Sequence, residues 1–196
     1  MKNAKYLFIA ALAAITPASW AQPQASVEMT KVPGHAAVKR TIQITATVEN
    51  IDPATRTVVL KTANDKIVEV EVGEEARNFD QLKVGDVVTT VYRESLSLSL
   101  KKNGGEGASI EEKPTMERTP EGSKPGGTLG RQLTIVADVV AVHPQSRMIT
   151  LKGPKGNTVD MVVEDPKQFA DIKKGDQVQA VYTEALAISV EPAAKK

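Results

Sequence analysis

Thr41-Ile42-Gln43-Ile44-Thr45-Ala46-Thr47-Val48, followed closely by Asp52-Pro53-Ala54-Thr55-Arg56, is the stretch on which the fold turns. Its apolar residues occupy every second position, so Ile42, Ile44, Ala46 and Val48 share one face of an extended strand. Pro53 presets φ for a turn, and its neighbours favour one. The same strand and turn return later, with Ile135-Val136 and Val139-Val140 apolar on both faces, before His143-Pro144-Gln145-Ser146-Arg147.

Outward from this stretch, residues 41–100 and 132–190 align with a single one-residue gap. Matched positions include Ile44/Ile135, Pro53/Pro144, Arg56/Arg147 and Leu60/Leu151. They continue through Phe79/Phe169, Gly85-Asp86/Gly175-Asp176, Tyr92/Tyr182, Glu94/Glu184 and Leu96/Leu186. A unit of this length is too long for a solenoid repeat and suits a small domain, so the chain is a duplication. Within each copy, the second strand is expected at Thr57–Thr62 or Met148–Lys152 and the third at Ile67–Val72 or Thr158–Val163. Asp165-Pro166 reads as an N-cap followed by Pro at the first helical position, which predicts one helical turn there and at Glu75–Leu82. A fourth strand ending at Tyr92 or Tyr182 follows, and a fifth at Ser95–Leu100 or Ala185–Val190 closes the module. The expected fold is therefore all-β: two tandem five-stranded OB-like barrels, each with one short helical turn, joined by a flexible linker. An open five-stranded sandwich has the same periodicity.

The rest of the chain is read as connection. Lys101–Arg131 is rich in Gly and contains Pro114, Pro120 and Pro125, with too little apolar content to bury, which predicts a tether. Residues 22–40 are expected to form a flexible tail and 193–196 a short basic one. Residues 1–21 have basic Lys2 and Lys5, an apolar run from Tyr6 to Ile15, and Ala18-Ser19-Trp20-Ala21 at a cleavage site. This is the layout of a secretory signal peptide, so the mature protein is expected to start at Gln22, in the periplasm of a Gram-negative cell and without an integral membrane segment. The two modules, 41–100 and 132–192, are each expected to fold alone.

Composition narrows the chemistry. The 196 residues contain no Cys, so there is no disulfide, thiolate metal site or cysteine nucleophile. The formal net charge of +1 falls slightly below zero once the leader leaves, which argues against nucleic acid as a partner. The aromatics beyond the leader are Phe79, Tyr92, Phe169 and Tyr182, one Phe and one Tyr per copy. Such a set makes a poor stacking surface, and the two Phe are expected to plug the cores. No phosphate-binding Gly-rich loop, His-Glu-x-x-His or Gly-x-Ser-x-Gly is present, so no catalytic residue and no cofactor are assigned. The candidate binding residues are the matched Arg56, Tyr92, Glu94, Arg147, Tyr182 and Glu184, where an Arg and a Glu could pair across the barrel. Gly85-Asp86 and Gly175-Asp176 recur for steric reasons, as turns.

Val48-Glu49-Asn50-Ile51-Asp52-Pro53 and the Lys-x-Gly-Asp stretches at Lys83–Asp86 and Lys173–Asp176 make each module similar to small periplasmic copper- and silver-binding chaperones. That resemblance implies the OB-like barrel. In the family a His ends the second strand, and a Trp with two Met leads into the third. Here Lys61 and Lys152 stand near the His position, and Met161 approaches a Met position. A metal-binding alternative would draw on His143, Met148 and Met161, since His and Met suit Cu(I). The Asp-Pro-x-[Ser/Thr]-Arg turn, the Pro-Gly-Gly…Gly-Arg stretch at Pro125–Arg131 and the Tyr-x-Glu-[Ser/Ala]-Leu strand also resemble a group of exported two-module proteobacterial proteins. That likeness implies export and brings no activity with it. The expected function is a non-enzymatic periplasmic binding or adaptor protein, engaging an envelope protein or a small ligand. Metal binding and a structural role in the cell envelope are the alternatives.

Overall fold

The structure, a computed structural model, describes residues 24–102, 105 and 107–193. The expected signal peptide and most of the basic tail at the C-terminus lie outside the described residues. The chain is all-β. Ten strands run in order: β1 (Gln24–Val32), β2 (His35–Asp52), β3 (Thr57–Thr62), β4 (Ile67–Glu71), β5 (Val87–Lys101), β6 (Ser109–Arg118), β7 (Gly126–His143), β8 (Met148–Lys152), β9 (Thr158–Val162) and β10 (Gln177–Glu191). Between β9 and β10 lies α1 (Pro166–Asp171), and a 3-10 turn at Phe79–Gln81 holds the matching place in the first copy. The strands form one open sheet in the order β4-β3-β2-β5-β10-β7-β8-β9, with β1 added to β2 and β6 to β7.

Two separate closed barrels are not what the structure shows, and the fifth strand explains why. The expected fourth and fifth strands are one element in each copy, β5 and β10, each of 15 residues. Between Tyr92 and Ser95 stand only Arg93 and Glu94, neither a turn former. The alternation Val88, Thr90, Tyr92, Glu94, Leu96 continues unbroken across them. The strand therefore runs straight on, and β5 pairs with β10 from Val87↔Glu191 to Lys101↔Gln177. The end that should have closed repeat 1 serves repeat 2 instead. There Leu98 and Leu100 pack against the buried cluster Val139, Ile149, Val163 and Val178, together with Phe169.

The expected tail and tether are also largely strand. From Gln24 onward the tail is β1 and the start of β2, a hairpin closed through Val32↔His35. The tether contains β6 and the first residues of β7, paired from Arg118↔Gly127 to Ser109↔Val136. These strands escape a reading based on burial because every residue of β1 and β6 is exposed. Pro114 within β6 is tolerated because β6 is an edge strand. Gly130 is needed for packing: a Cβ there would sit 2.6 Å from the Glu184 carbonyl oxygen of β10.

Each copy bends around one buried valine. The register of β2 against β3 shifts between Val48 and Asn50, and that of β7 against β8 between Val139 and Ala141. A bulge increases twist and turns the strand. Val48 and Val139, each 1% exposed, sit at these bends. Their amides donate to the Asp86 and Asp176 carbonyls at 2.9 and 2.8 Å. Gly85 and Gly175 have φ of 90° and 93°, so the turn that feeds β5 and β10 requires glycine in both copies. α1 starts as its sequence predicts, with the Asp165 side chain accepting from the Lys167 amide and Pro166 in the first turn.

Candidate functional site

Pairing across the sheet defines the site. Residues that pair directly share a face. One row across six strands reads Val27, Arg40, Glu94, Glu184, Arg131 and Pro114, on β1, β2, β5, β10, β7 and β6. Glu94 and Glu184 hold the same position in the repeat and pair with each other. The β5–β10 junction is therefore an internal two-fold, around which the register repeats although the side-chain contacts do not. The flanking rows carry Met29, Val38, Leu96, Tyr182 and Leu133 on one side and Ile42, Tyr92, Leu186, Leu129 and Met116 on the other. Four of the six expected binding residues, Tyr92, Glu94, Tyr182 and Glu184, thus meet at the centre of one face.

Their contacts are specific. The Tyr182 hydroxyl lies 2.9 Å from Glu184 Oε2 and 3.0 Å from Glu94 Oε1. It has one proton to share between two carboxylates. Arg131 Nε donates to Glu184 Oε1 at 2.6 Å, and Arg131 Nη1 lies 3.5 Å from Glu112. The Tyr182 hydrogen bond, followed by the Arg131 bond, holds the Glu184 carboxyl below the usual carboxylate range. Hydrogen bonds to Glu184 and then Glu94 hold the Tyr182 phenol above the usual tyrosine range. A phenol that keeps its proton this firmly is the reverse of a general base or nucleophile. Glu94 has Arg40 beside it in register, yet among the described residues Arg40 makes no ion pair.

Around this polar centre the face is apolar and open. Val27 and Met29 are 67% exposed, Met116 62%, Leu129 58%, and Leu96 and Leu186 39%. The opposite face of the same strands carries Thr41, Gln43, Ser95, Ser97, Gln132 and Thr183. The sheet therefore presents its apolar side to solvent along its centre, while the same side covers the two cores at its ends.

Arg56 and Arg147 stand elsewhere and do not pair with the glutamates. Both have positive φ, 52° and 51°. Arg56 clamps the chain after β4, donating to the carbonyls of Val72, Gly73 and Ala76 and stacking over Phe79 at 4.5 Å. The Arg147 side chain donates to the Glu164 carbonyl at 3.3 Å. The three residues of the metal alternative also diverge. His143 pairs with Met148, whereas Met161 pairs with the buried Ile149 on the other side of the strand. The His143 ring lies 3.1 Å from the Thr150 hydroxyl, which donates to Asp160.

Four further residues contribute that recurrence within the aligned repeats does not mark for binding. Arg40 and Arg131 are matched, but they lie one residue outside the aligned repeats. Asp86 and Asp176, read only as turn residues, are 2% and 4% exposed. Each accepts from a local amide at 2.8 Å and pairs with a lysine of the expected tether, Asp86 with Lys124 and Asp176 with Lys102. A buried carboxylate needs such a partner, so the Lys at 102 and 124 are signals that only the fold explains.

Comparison with known proteins yields no match: no family model, no curated protein and no solved structure matches the chain. Among the described residues no helix is long and apolar enough to cross a membrane.

Proposed function

We propose that this is an exported, periplasmic, non-enzymatic binding or adaptor protein, and that the central sheet face receives a protein segment presenting a basic side chain among apolar ones. The observation that carries this reading is the unpartnered apolar face with paired carboxylates at its centre. Charge decides the chemistry of the occupant. Arg131 neutralises Glu184, while Glu94 takes the shared phenol proton and makes no ion pair with Arg40 beside it, so Glu94 is the carboxylate open to a basic side chain. Size supports a protein partner. Six strands at ~4.8 Å spacing and three same-face rows at ~6.8 Å give a patch of about 330 Å², room for a short extended segment and less than one side of a standard interface. Both repeats contribute equal halves, so a partner would engage the two copies at once. We read each curled end as an OB-like barrel opened by the departure of its fifth strand.

The test is titration of the mature protein with alternating Leu/Lys peptides and their Leu/Glu counterparts. The Leu/Lys series should bind, Glu94→Gln should weaken it several-fold, and Leu96→Asp/Leu186→Asp should abolish it with the circular dichroism unchanged. Equal binding of both series, or full binding by the double Asp variant, would refute the proposal.

A further inference from the structure

A cavity of about 280 Å³ lies where the β1–β2 hairpin tip meets repeat 2. Its walls are apolar: Leu98 and Leu100 of β5, Val178 of β10, and Met161, Val163 and Ile172 around β9 and α1. Its polar lining is already engaged. Lys31 pairs with Glu164 at 3.2 Å, and Gln168 donates to the Val32 carbonyl at 3.1 Å. The His35 ring bonds the Ser99 hydroxyl, and Asp165 caps α1. A ligand here is offered mainly apolar contact.

The first repeat shows what this place holds when it is occupied. Asn78 corresponds to Gln168, and it grips the β6–β7 turn by donating to the Pro120 carbonyl and accepting from the Gly122 amide. Lys124 of that turn reaches on to the Gln81 carbonyl and Asp86. The β6–β7 turn spans Thr119–Pro125, whereas the β1–β2 turn is only Pro33-Gly34. The longer turn lies over its repeat, and the shorter one leaves the second repeat open.

We propose that this cavity binds a small uncharged apolar molecule. A volume of about 280 Å³ lies just under the range of ordinary small-molecule pockets, so the ligand is a short aliphatic or one- to two-ring compound. The proposal does not depend on the sheet face being a docking surface.

The test uses 1-N-phenylnaphthylamine, a neutral apolar fluorophore, with the full mature chain. Saturable binding of one equivalent is expected. Ala36 pairs with Leu98 and lines the cavity, so Ala36→Trp should fill it and lower affinity at least tenfold. A second variant, with Pro33-Gly34 replaced by the Thr119–Pro125 sequence, should do the same should the Trp variant fail to fold. Leu186→Asp, on the central face, should leave probe binding unchanged. No saturable binding, unchanged affinity in both filled variants, or loss in Leu186→Asp would overturn the proposal.

Discussion

After β4, repeat 1 is held by an arginine fork: three carbonyls and the Phe79 ring gather around Arg56, above a 3-10 turn whose Asn78 cap is left-handed. At the same place repeat 2 has a weakly bonded Arg147, a capped α-helix and an apolar cluster with Ile149 fully buried. Two copies of one sequence thus reach the same path by different means, one polar and one apolar. Duplication fixes the chain path through the bulge and the Gly-Asp turn. The interactions that hold the loops are free to diverge, because either set suffices. What the copies share is the backbone pairing of the seam, where β5 and β10 pair over their whole length.

The seam gives the largest expected effect. A fragment of residues 22–101 loses every β10 partner of β5, including those beside Leu96, Leu98 and Leu100. It should lack a cooperative thermal transition, whereas residues 22–196 should unfold in one step. A fragment melting as sharply as the whole would restore two independent modules. Next in size is the core. Ile149→Ala should cost about 2–5 kcal/mol, and Val58→Ala less, at ~0.8 kcal/mol per methylene lost plus its cavity. Urea denaturation of both variants measures the gap. Because Ile149→Ala removes one carbon more, a gap of only ~0.8 kcal/mol plus its cavity would mean the two cores are energetically alike.

The arginines come third. Arg56→Lys keeps a long basic residue at the same left-handed position but removes the fork, so the loss reports the carbonyl bonds and the Phe79 contact. About 2 kcal/mol is expected, against less than ~1 kcal/mol for Arg147→Lys. A reversed order would show that the fork in repeat 1 is not what holds its loop.

The parts of the molecule legible in its sequence are those with a local cause. The alternation at Ile42–Val48, the Asp-Pro and Gly-Asp turns and the Asp165-Pro166 helix start each follow from a few neighbouring residues. The continuity of the strand through Arg93-Glu94 is readable too, since no turn former interrupts the alternation there. β1 and β6 left no burial signal because they are edge strands exposed along their length. The site was half legible. Matched Tyr and Glu pointed to it, yet their meeting depends on β5 pairing with β10, a long-range register that no local pattern encodes. Arg56 and Arg147 stood out for the same matching and prove to be loop supports, so recurrence marks structural need as readily as binding.

The smallest effect tests whether the central cluster holds the seam. Glu184 is stabilised as a carboxylate when folded, so its contribution is present above the unfolded carboxyl value, near pH ~4.3, and is lost as pH falls through its lower folded value. Tyr182 behaves oppositely, because its folded value is raised: its contribution is full below pH ~10 and is lost as pH rises beyond that. Melting temperature against pH should therefore show Glu184→Gln below wild type at neutral pH and converging with it in acid. Tyrosinate absorbance should show a late phase that Tyr182→Phe removes. Convergence at neutral pH, or a late phase surviving in Tyr182→Phe, would mean that the shared proton leaves the seam untouched. The like-charged pair at the two-fold would then be tolerated for what it binds and not for what it holds together.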